Sequence, residues 1–127
     1  MFNPLKYYTG EAIKNLNDKA KEILSFMYPP VTIYEEGGDI VIDADLPGFD
    51  KKDVKVRAEK DAVTIEASRK IEPKTGTLIS NQRPEKIFKR IKIPYETDTS
   101  TDLSAKYQNG ILTIRIPAKG FKTIKVE

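Results

Sequence analysis

The spacing of apolar residues changes at Pro29-Pro30, and this change constrains the fold more than any other feature of the chain. Before the two prolines, apolar residues recur every three or four positions, which predicts a helix. After them, apolar and polar residues alternate in short runs separated by turns, which predicts strands. Many short strands with no helix between them indicate an all-β domain, an immunoglobulin-like antiparallel β-sandwich. The predicted strands are Val31 to Glu35, Asp39 to Leu46, Val54 to Ala58, Ala62 to Ala67, Ile87 to Ile93, Leu103 to Gln108 and Ile111 to Ile116.

The chain of 127 residues contains no cysteine and no histidine. Thiol chemistry, disulfides, imidazole catalysis and the commonest zinc sites are therefore excluded, and no phosphate-binding glycine loop or nucleophile elbow is present. Asp43 and Asp45 share one strand face and come nearest to a cation or acid–base site, but a solvated sheet face explains them better. We expect no enzymatic activity, no cofactor and no metal.

The net charge of +3 is nearly balanced. Nucleic-acid binding usually needs a concentrated basic stripe, so a solvated surface is the better explanation of the basic residues, and we expect no nucleic-acid partner. No signal peptide or membrane-spanning run is evident, which favours a cytoplasmic protein. Few methionines, no cysteine and abundant lysine and glutamate favour a thermophilic source. The basic residues considered are Lys86, Lys89, Arg90 and Lys92 in one strand and Lys119, Lys122 and Lys125 near the C-terminus.

Residues 1–30 are predicted to form an N-terminal arm. An amphipathic helix runs from Glu11 to Met27 and is ended by Tyr28-Pro29-Pro30, because proline lacks the amide donor that a helix needs. Its apolar stripe is too narrow to bury itself. The arm is therefore expected to contact another protein surface, or alternatively to dock permanently on its own sandwich. The apolar arm residues are Ile13, Leu16, Ile23, Leu24, Phe26 and Met27.

Residues 31–117 form the predicted folded domain, and residues 118–127 form a tail. The domain closes with Asn109-Gly110 between two alternating runs, a strong hairpin signal. In the tail, Ile124 and Val126 stand two positions apart and point the same way when the chain is extended. Such a pair fits the edge or groove of a sheet, whereas most chain ends fray and bind nothing.

Four segments carry a resemblance to a known family. Ala105 to Pro117 is similar to an A-x-x-x-n-G-v-L signature, and Asp45 to Phe49 looks like a D-L-P-G-f turn. Phe88 to Pro94 resembles an F-x-R-x-x-x-L-P strand shortened by one residue, with Ile93 where leucine is usual, and Ile124 to Val126 resembles an I-x-I/V tail motif. In this order they resemble the small heat shock proteins, the α-crystallin domain family, of the non-animal or archaeal type.

The resemblance implies an ATP-independent holdase chaperone, assembled as a homo-oligomer of strand-exchanged dimers that binds partially unfolded client proteins. The long connection from Arg69 to Pro84 would add a short strand, Thr77 to Gln82, to a partner's sheet beside Val31 to Glu35. The tail pair Ile124 and Val126 would enter a groove on a neighbour, lined by Val54, Val56, Ala58, Leu103, Ala105 and Tyr107. The implied dimer interface comprises Arg90, Thr77, Leu78, Ile79, Ser80, Val31 and Ile33.

Other interpretations remain open at this point. A monomeric co-chaperone or adaptor has the same sandwich without the exchanged loop and the tail motif. A nucleic-acid-binding protein would show steep salt dependence of binding, and an enzyme ranks last. The loop from Arg69 to Pro84 would then be a mobile surface hairpin, and Arg90 an exposed strand cation that contributes under about 1 kcal/mol.

Overall fold

The computed structural model describes residues 27–97, 103–118 and 126–127, together with residues 19, 20 and 23. Seven antiparallel strands within these residues form two sheets, one of four strands in the order β1-β2-β7-β6 and one of three in the order β3-β4-β5. This arrangement confirms the predicted β-sandwich. The strands are β1 Val31–Glu36, β2 Asp39–Asp45, β3 Val54–Ala58, β4 Ala62–Ser68, β5 Lys86–Lys92, β6 Ser104–Gln108 and β7 Ile111–Pro117.

Two tight hairpins fix the register of the four-stranded sheet. Gly37 and Gly38 join β1 to β2 with φ of 60° and 87°, and Asn109 and Gly110 join β6 to β7 with φ of 55° and 76°. Consecutive left-handed residues match the twist of the flanking strands. The Asn-Gly hairpin predicted from the sequence is therefore confirmed, and β1 extends one residue further than predicted, to Glu36.

The core lies between the two sheets and is aliphatic. Alternate residues of each strand point inward, as the period of two requires, and each fully buried aliphatic side chain contributes about 1.5–3 kcal/mol. The observed strands are slightly shorter than predicted at three ends. Leu46, Ile93 and Leu103, which were predicted to be strand residues, each lie one position outside the observed strand. The buried cluster consists of Ile40, Ile42, Ala44, Leu46, Phe49, Val63, Ile65, Ala67, Ile87, Ile91, Ile93, Leu112, Ile114 and Ile116.

Thr97 ties the chain that follows β5 to the turn between β3 and β4. Its side chain is buried, and its hydroxyl donates a hydrogen bond to the Glu59 carbonyl at 2.6 Å, with the Lys60 carbonyl 3.1 Å away. Its backbone N–H donates to the same Lys60 carbonyl at 2.7 Å, and Thr97 forms a bridge with Ala118 just after β7. One polar residue thus joins both sheets at this end of the sandwich.

The N-terminal arm meets the sandwich at Tyr28-Pro29-Pro30. Pro29 is fully buried, Tyr28 packs against the core, and the Pro30 carbonyl accepts a hydrogen bond from the Asp45 N–H at 3.1 Å. Residues 19, 20, 23 and 27 of the predicted helix are helical, and its other residues lie outside the described part of the chain. In the part that the structure describes, no helix has the length and apolar character needed to cross a bilayer.

Candidate functional site

Strand β1 forms one edge of the four-stranded sheet. Among the described residues it pairs with β2 alone. Val31 packs against the core, whereas Ile33 is 40% exposed although it lies on the same inward face. An edge strand presents a row of N–H and C=O groups that can pair with another chain. β1 therefore has the geometry that an added strand needs.

The connection from Arg69 to Glu85 contains no strand, so the short strand predicted from Thr77 to Gln82 does not exist in the single chain. A strand needs a neighbour for its backbone hydrogen bonds, and an isolated protomer supplies none here. Residues 77–82 are exposed, and Ile79 is 97% exposed. Two large apolar side chains, Leu78 and Ile79, thus stand in solvent at the tip of this loop.

Arg90 lies on the outward face of β5 and makes ion pairs within its own chain. Its Nη2 atom is 3.4 Å from Glu59 Oε2 and 3.8 Å from Asp61 Oδ1. All three side chains are about half exposed, so these pairs contribute little on their own. In the single chain, both carboxylates that contact Arg90 come from the turn between β3 and β4.

The basic residues of β5 do not form one stripe. Lys86, Arg90 and Lys92 face outward, but Lys89 shares the inward face of Ile87 and Ile91. Its Nζ atom donates a hydrogen bond to the Pro29 carbonyl at 2.9 Å, and burial lowers the pKa of this ammonium. The contact places β5 beside the chain that leads into β1.

The residues predicted to line the tail groove lie on or beside β3 and β6, each of which is an edge strand of its own sheet. On β3 they are half-buried against the core, as is Tyr107 on β6, whereas Ala105 and Leu103 are exposed. The Tyr107 hydroxyl donates to the Leu46 carbonyl and accepts the Phe49 N–H at 3.4 Å. The β3 set consists of Val54, Val56 and Ala58.

The tail and arm residues are described only in part. Val126 is 91% exposed, and Ile23 and Met27 are also exposed. Ile124 lies outside the described residues. So do the arm residues Ile13, Leu16, Leu24 and Phe26.

Asp43 and Asp45 of β2 line a shallow groove of about 470 Å³ on the outer face of the four-stranded sheet, together with Lys106. Asp43 accepts a hydrogen bond from the Thr113 hydroxyl at 2.7 Å, so it is held by a neighbouring strand. No group of three or more metal-binding carboxylates occurs within the described residues. The arrangement is that of a polar sheet face.

Comparison with known proteins decides the family. The family model described as "Hsp20/alpha crystallin family" matches residues 32–127, three quarters of the chain. The chain belongs to the Hsp20/alpha-crystallin family. This small heat shock protein family consists of non-enzymatic chaperones that form oligomers and bind unfolded clients. The matched range includes all four segments that carried the resemblance.

Several individual small heat shock proteins are similar to this chain over most of their own length. A protein called "Probable 15 kDa heat shock protein" from Leptospira interrogans is 33% identical over 107 residues, which covers 84% of this chain and 82% of that one. A point mutant of hsp14.1 from Sulfolobus solfatataricus P2, known from its crystal structure, is 37% identical, with a TM-score of 0.72 over 90% of this chain and 93% of that chain. A small heat shock protein from Xylella fastidiosa, described as having a distinct high order structure, is 30% identical, with a TM-score of 0.61 over 78% of this chain and 93% of that chain.

Sequence reasoning missed two side chains that organise this Hsp20-family domain. Lys89 counts in the sequence only as one of four basic residues of its strand, although its position matches the inward parity of Ile87 and Ile91. Arg69 joins the long loop to the turn after β2, and no local pattern marks it, since its partners lie at Pro47 and Pro84.

Proposed function

We propose that this chain is an ATP-independent holdase, which assembles as a homo-oligomer of strand-exchanged dimers and shields unfolding proteins from aggregation. The observation that carries the proposal is a pair of complementary features on one protomer. β1 is an edge strand without a second neighbour among the described residues, and the loop tip offers exposed Leu78 and Ile79. Two copies can satisfy both needs if each loop tip adds a strand to the other's β1.

The tail supplies the contact between dimers in this proposal. Burial of Ile124 and Val126 contributes about 1.5–3 kcal/mol each, while ordering the backbone costs about 1–2 kcal/mol per residue. A single tail therefore binds weakly. Several tails acting from one assembly raise the effective concentration, so the oligomer is stable although each contact opens easily. Heating releases tails and arms and makes apolar surface available to clients.

The receiving site is the groove between β3 and β6. Val54, Val56 and Ala58 border it from one sheet, and Tyr107 from the other. Their half-buried apolar surface supports this assignment, and the exposed Leu103 and Ala105 would become covered on tail binding. We include Arg90 in the dimer interface, where its ion pairs with Glu59 and Asp61 would be reinforced or exchanged. The cytoplasmic location and the domain boundaries after residues 30 and 117 stay predictions.

The test compares the full chain with a variant in which Ile124 and Val126 are both serine. Light scattering gives the mass, and turbidity of a heated model protein without ATP gives holdase activity. We expect the wild type to have a mass many times 14.4 kDa and the variant to fall to a dimer. The matched control replaces Lys122 and Lys125 by serine and should keep the full mass. A monomeric wild type without protective activity would contradict the proposal and favour the adaptor interpretation.

A further inference from the structure

The long loop leaves β4 and returns to β5 with its two ends fastened together. The Arg69 N–H donates to the Glu85 carbonyl at 2.8 Å, which continues the ladder one step beyond the Ser68–Lys86 pair. The Ile71 N–H then donates to the Glu85 carboxylate at 3.2 Å. The base of the loop is thus held by both backbone and side-chain hydrogen bonds.

The Arg69 side chain connects this base to a second segment, the turn after β2. Its Nε atom donates to the Pro84 carbonyl at 2.9 Å, and its Nη1 atom donates to the Pro47 carbonyl at 3.2 Å. The guanidinium carbon stands 4.1 Å from the centroid of the Phe49 ring, which is itself buried in the core. Cation–π contact and two charge-assisted hydrogen bonds fix the plane of the guanidinium. A lysine offers no such fork.

Gly48 provides the space that Arg69 occupies. A Cβ atom at Gly48 would lie 2.6 Å from the Nη1 atom of Arg69 and 3.4 Å from the Nη2 atom of Arg83. Gly48 also has φ of 86°, which disfavours any other residue. The turn from Pro47 to Phe49 is therefore shaped around the arginine, since two of its residues contact the guanidinium and the third makes room for it.

Beyond this base the loop is open to solvent. Residues 72–83 are all exposed, and Ile79 is five residues from Pro84, about 17 Å of extended chain. Neighbouring strands pair at a separation of about 4.8 Å. Because the tip is this far from the base, a change in the angle at which the chain leaves the base displaces the tip by a distance comparable to the separation of paired strands. Such a displacement prevents the tip from pairing. Whatever fixes the base therefore decides where the tip can bind.

We propose that Arg69 is the positioning residue of this loop: it holds Pro84 against the Pro47–Phe49 turn, so that residues 77–80 reach the edge of β1 in a second copy of the chain. The inference rests on the strand-exchanged dimer of the proposed function. It adds a second requirement for forming that dimer: the base of the loop must be held in place by a residue outside the interface. Arg69 lies at the base of the loop, and it acts on the interface through Pro84.

The experiment replaces Arg69 by methionine in the full chain. Methionine keeps apolar contact with Phe49 and loses every guanidinium donor. Labelled and unlabelled protein are mixed, and mass spectrometry of the intact assemblies shows whether subunits move in pairs or singly. We expect pairs for the wild type and single subunits for Arg69→Met, with amide exchange at residues 77–80 faster by about tenfold or more. The unfolding temperature should stay within about 5 °C.

The matched control is Arg57→Met. Arg57 is exposed on β3, and its Nη2 atom is 2.8 Å from Glu66 Oε1. This variant should exchange in pairs like the wild type. If Arg69→Met also exchanges in pairs with unchanged amide protection at residues 77–80, the positioning role is overturned.

A loop variant separates the inference from the dimer on which it rests. Replacing residues 72–82 by a short glycine–serine linker removes the tip and leaves Arg69 in place. If this variant still moves in pairs, the strand-exchanged dimer itself is wrong; if it moves singly while Arg69→Met moves in pairs, only the role of Arg69 fails. Should Arg69→Met unfold, Arg69→Lys decides instead: it keeps the charge but offers no fork for the Pro47 and Pro84 carbonyls, and faster exchange at residues 77–80 is required of it.

Discussion

Tyr107 and Leu46 stand 61 positions apart in the chain and are joined by a hydrogen bond from the tyrosine hydroxyl to the leucine carbonyl. The same hydroxyl accepts the Phe49 N–H at 3.4 Å. The bond fastens edge strand β6 to the turn that carries the chain from the first sheet to the second. It therefore fixes one wall of the groove that we assign to the tail.

Tyr107→Phe removes that hydroxyl and leaves the part-buried Leu46 carbonyl and Phe49 N–H without their partner. We expect the free energy of unfolding, measured by denaturant titration, to fall by about 1–2 kcal/mol. Tyr34→Phe, at an exposed tyrosine of β1, should change it by less than about 0.5 kcal/mol. Equal effects of the two substitutions would contradict a structural role for the Tyr107 hydroxyl.

Gly48→Ala is expected to destabilise the domain more than Gly76→Ala. Both glycines have positive φ, at 86° and 94°, so both substitutions carry backbone strain of about 1–2 kcal/mol. The added methyl at Gly76 meets no atom within 4 Å, whereas at Gly48 it meets the Arg69 guanidinium. The difference between their unfolding temperatures measures the displacement of Arg69, and identical temperatures would show that the contact is unimportant.

Ile79→Ser tests the loop tip. Ile79 is 97% exposed in the single chain, so its loss should leave the free energy of unfolding of the domain unchanged within about 0.5 kcal/mol. If the tip binds a partner's β1, the dimer dissociation constant rises by about tenfold or more, because a buried isoleucine contributes about 1.5–3 kcal/mol. Sedimentation at several concentrations measures it. Lys74→Ser, an exposed loop substitution outside the interface, should have no effect.

Lys89→Met should alter how stability depends on pH. Burial lowers the pKa of Lys89 below its value in the unfolded chain, which is about 10.4. Between the two values the unfolded chain binds more protons, so the free energy of unfolding rises with pH in that window and is constant below it, as far as Lys89 is concerned. The wild type minus Lys89→Met difference in unfolding free energy should therefore rise as the pH approaches the unfolded-chain value from below, and level off above that value.

Lys92→Met, at an exposed position of the same strand, is the control for this measurement. The difference between the wild type and Lys92→Met should stay flat over the same range. A flat or falling difference for Lys89→Met would show that the inward position of Lys89 does not desolvate its ammonium group.

The strands were predictable because each has one buried face. Ile40, Ile42 and Ala44 point inward while Asp39 and Asp43 point outward, and alternation records that choice directly. The Asn-Gly and Gly-Gly turns were predictable for a related reason, since few residues adopt consecutive left-handed conformations. Local patterns thus determined the sandwich and most strand limits.

Contacts between distant segments were not predictable in the same way. The role of Arg69 depends on carbonyls at Pro47 and Pro84, which only the folded chain brings together. Lys89 follows the inward parity, but a charged residue in a basic run is normally assigned to solvent. The strand expected at Thr77 to Gln82 does not form in the single chain for a different reason, because no strand among the described residues offers it backbone hydrogen bonds.

Within the part of the chain that the structure describes, the outer edge of β1 is open, and an open edge can promote aggregation of a single protomer. β1 also carries the exposed side chains of Ile33 and Tyr34. An unpaired edge strand with exposed apolar side chains can serve as a template on which other chains form insoluble aggregates. If the proposed strand exchange takes place, a second copy covers this edge, and the tendency to stack should fall as the dimer forms.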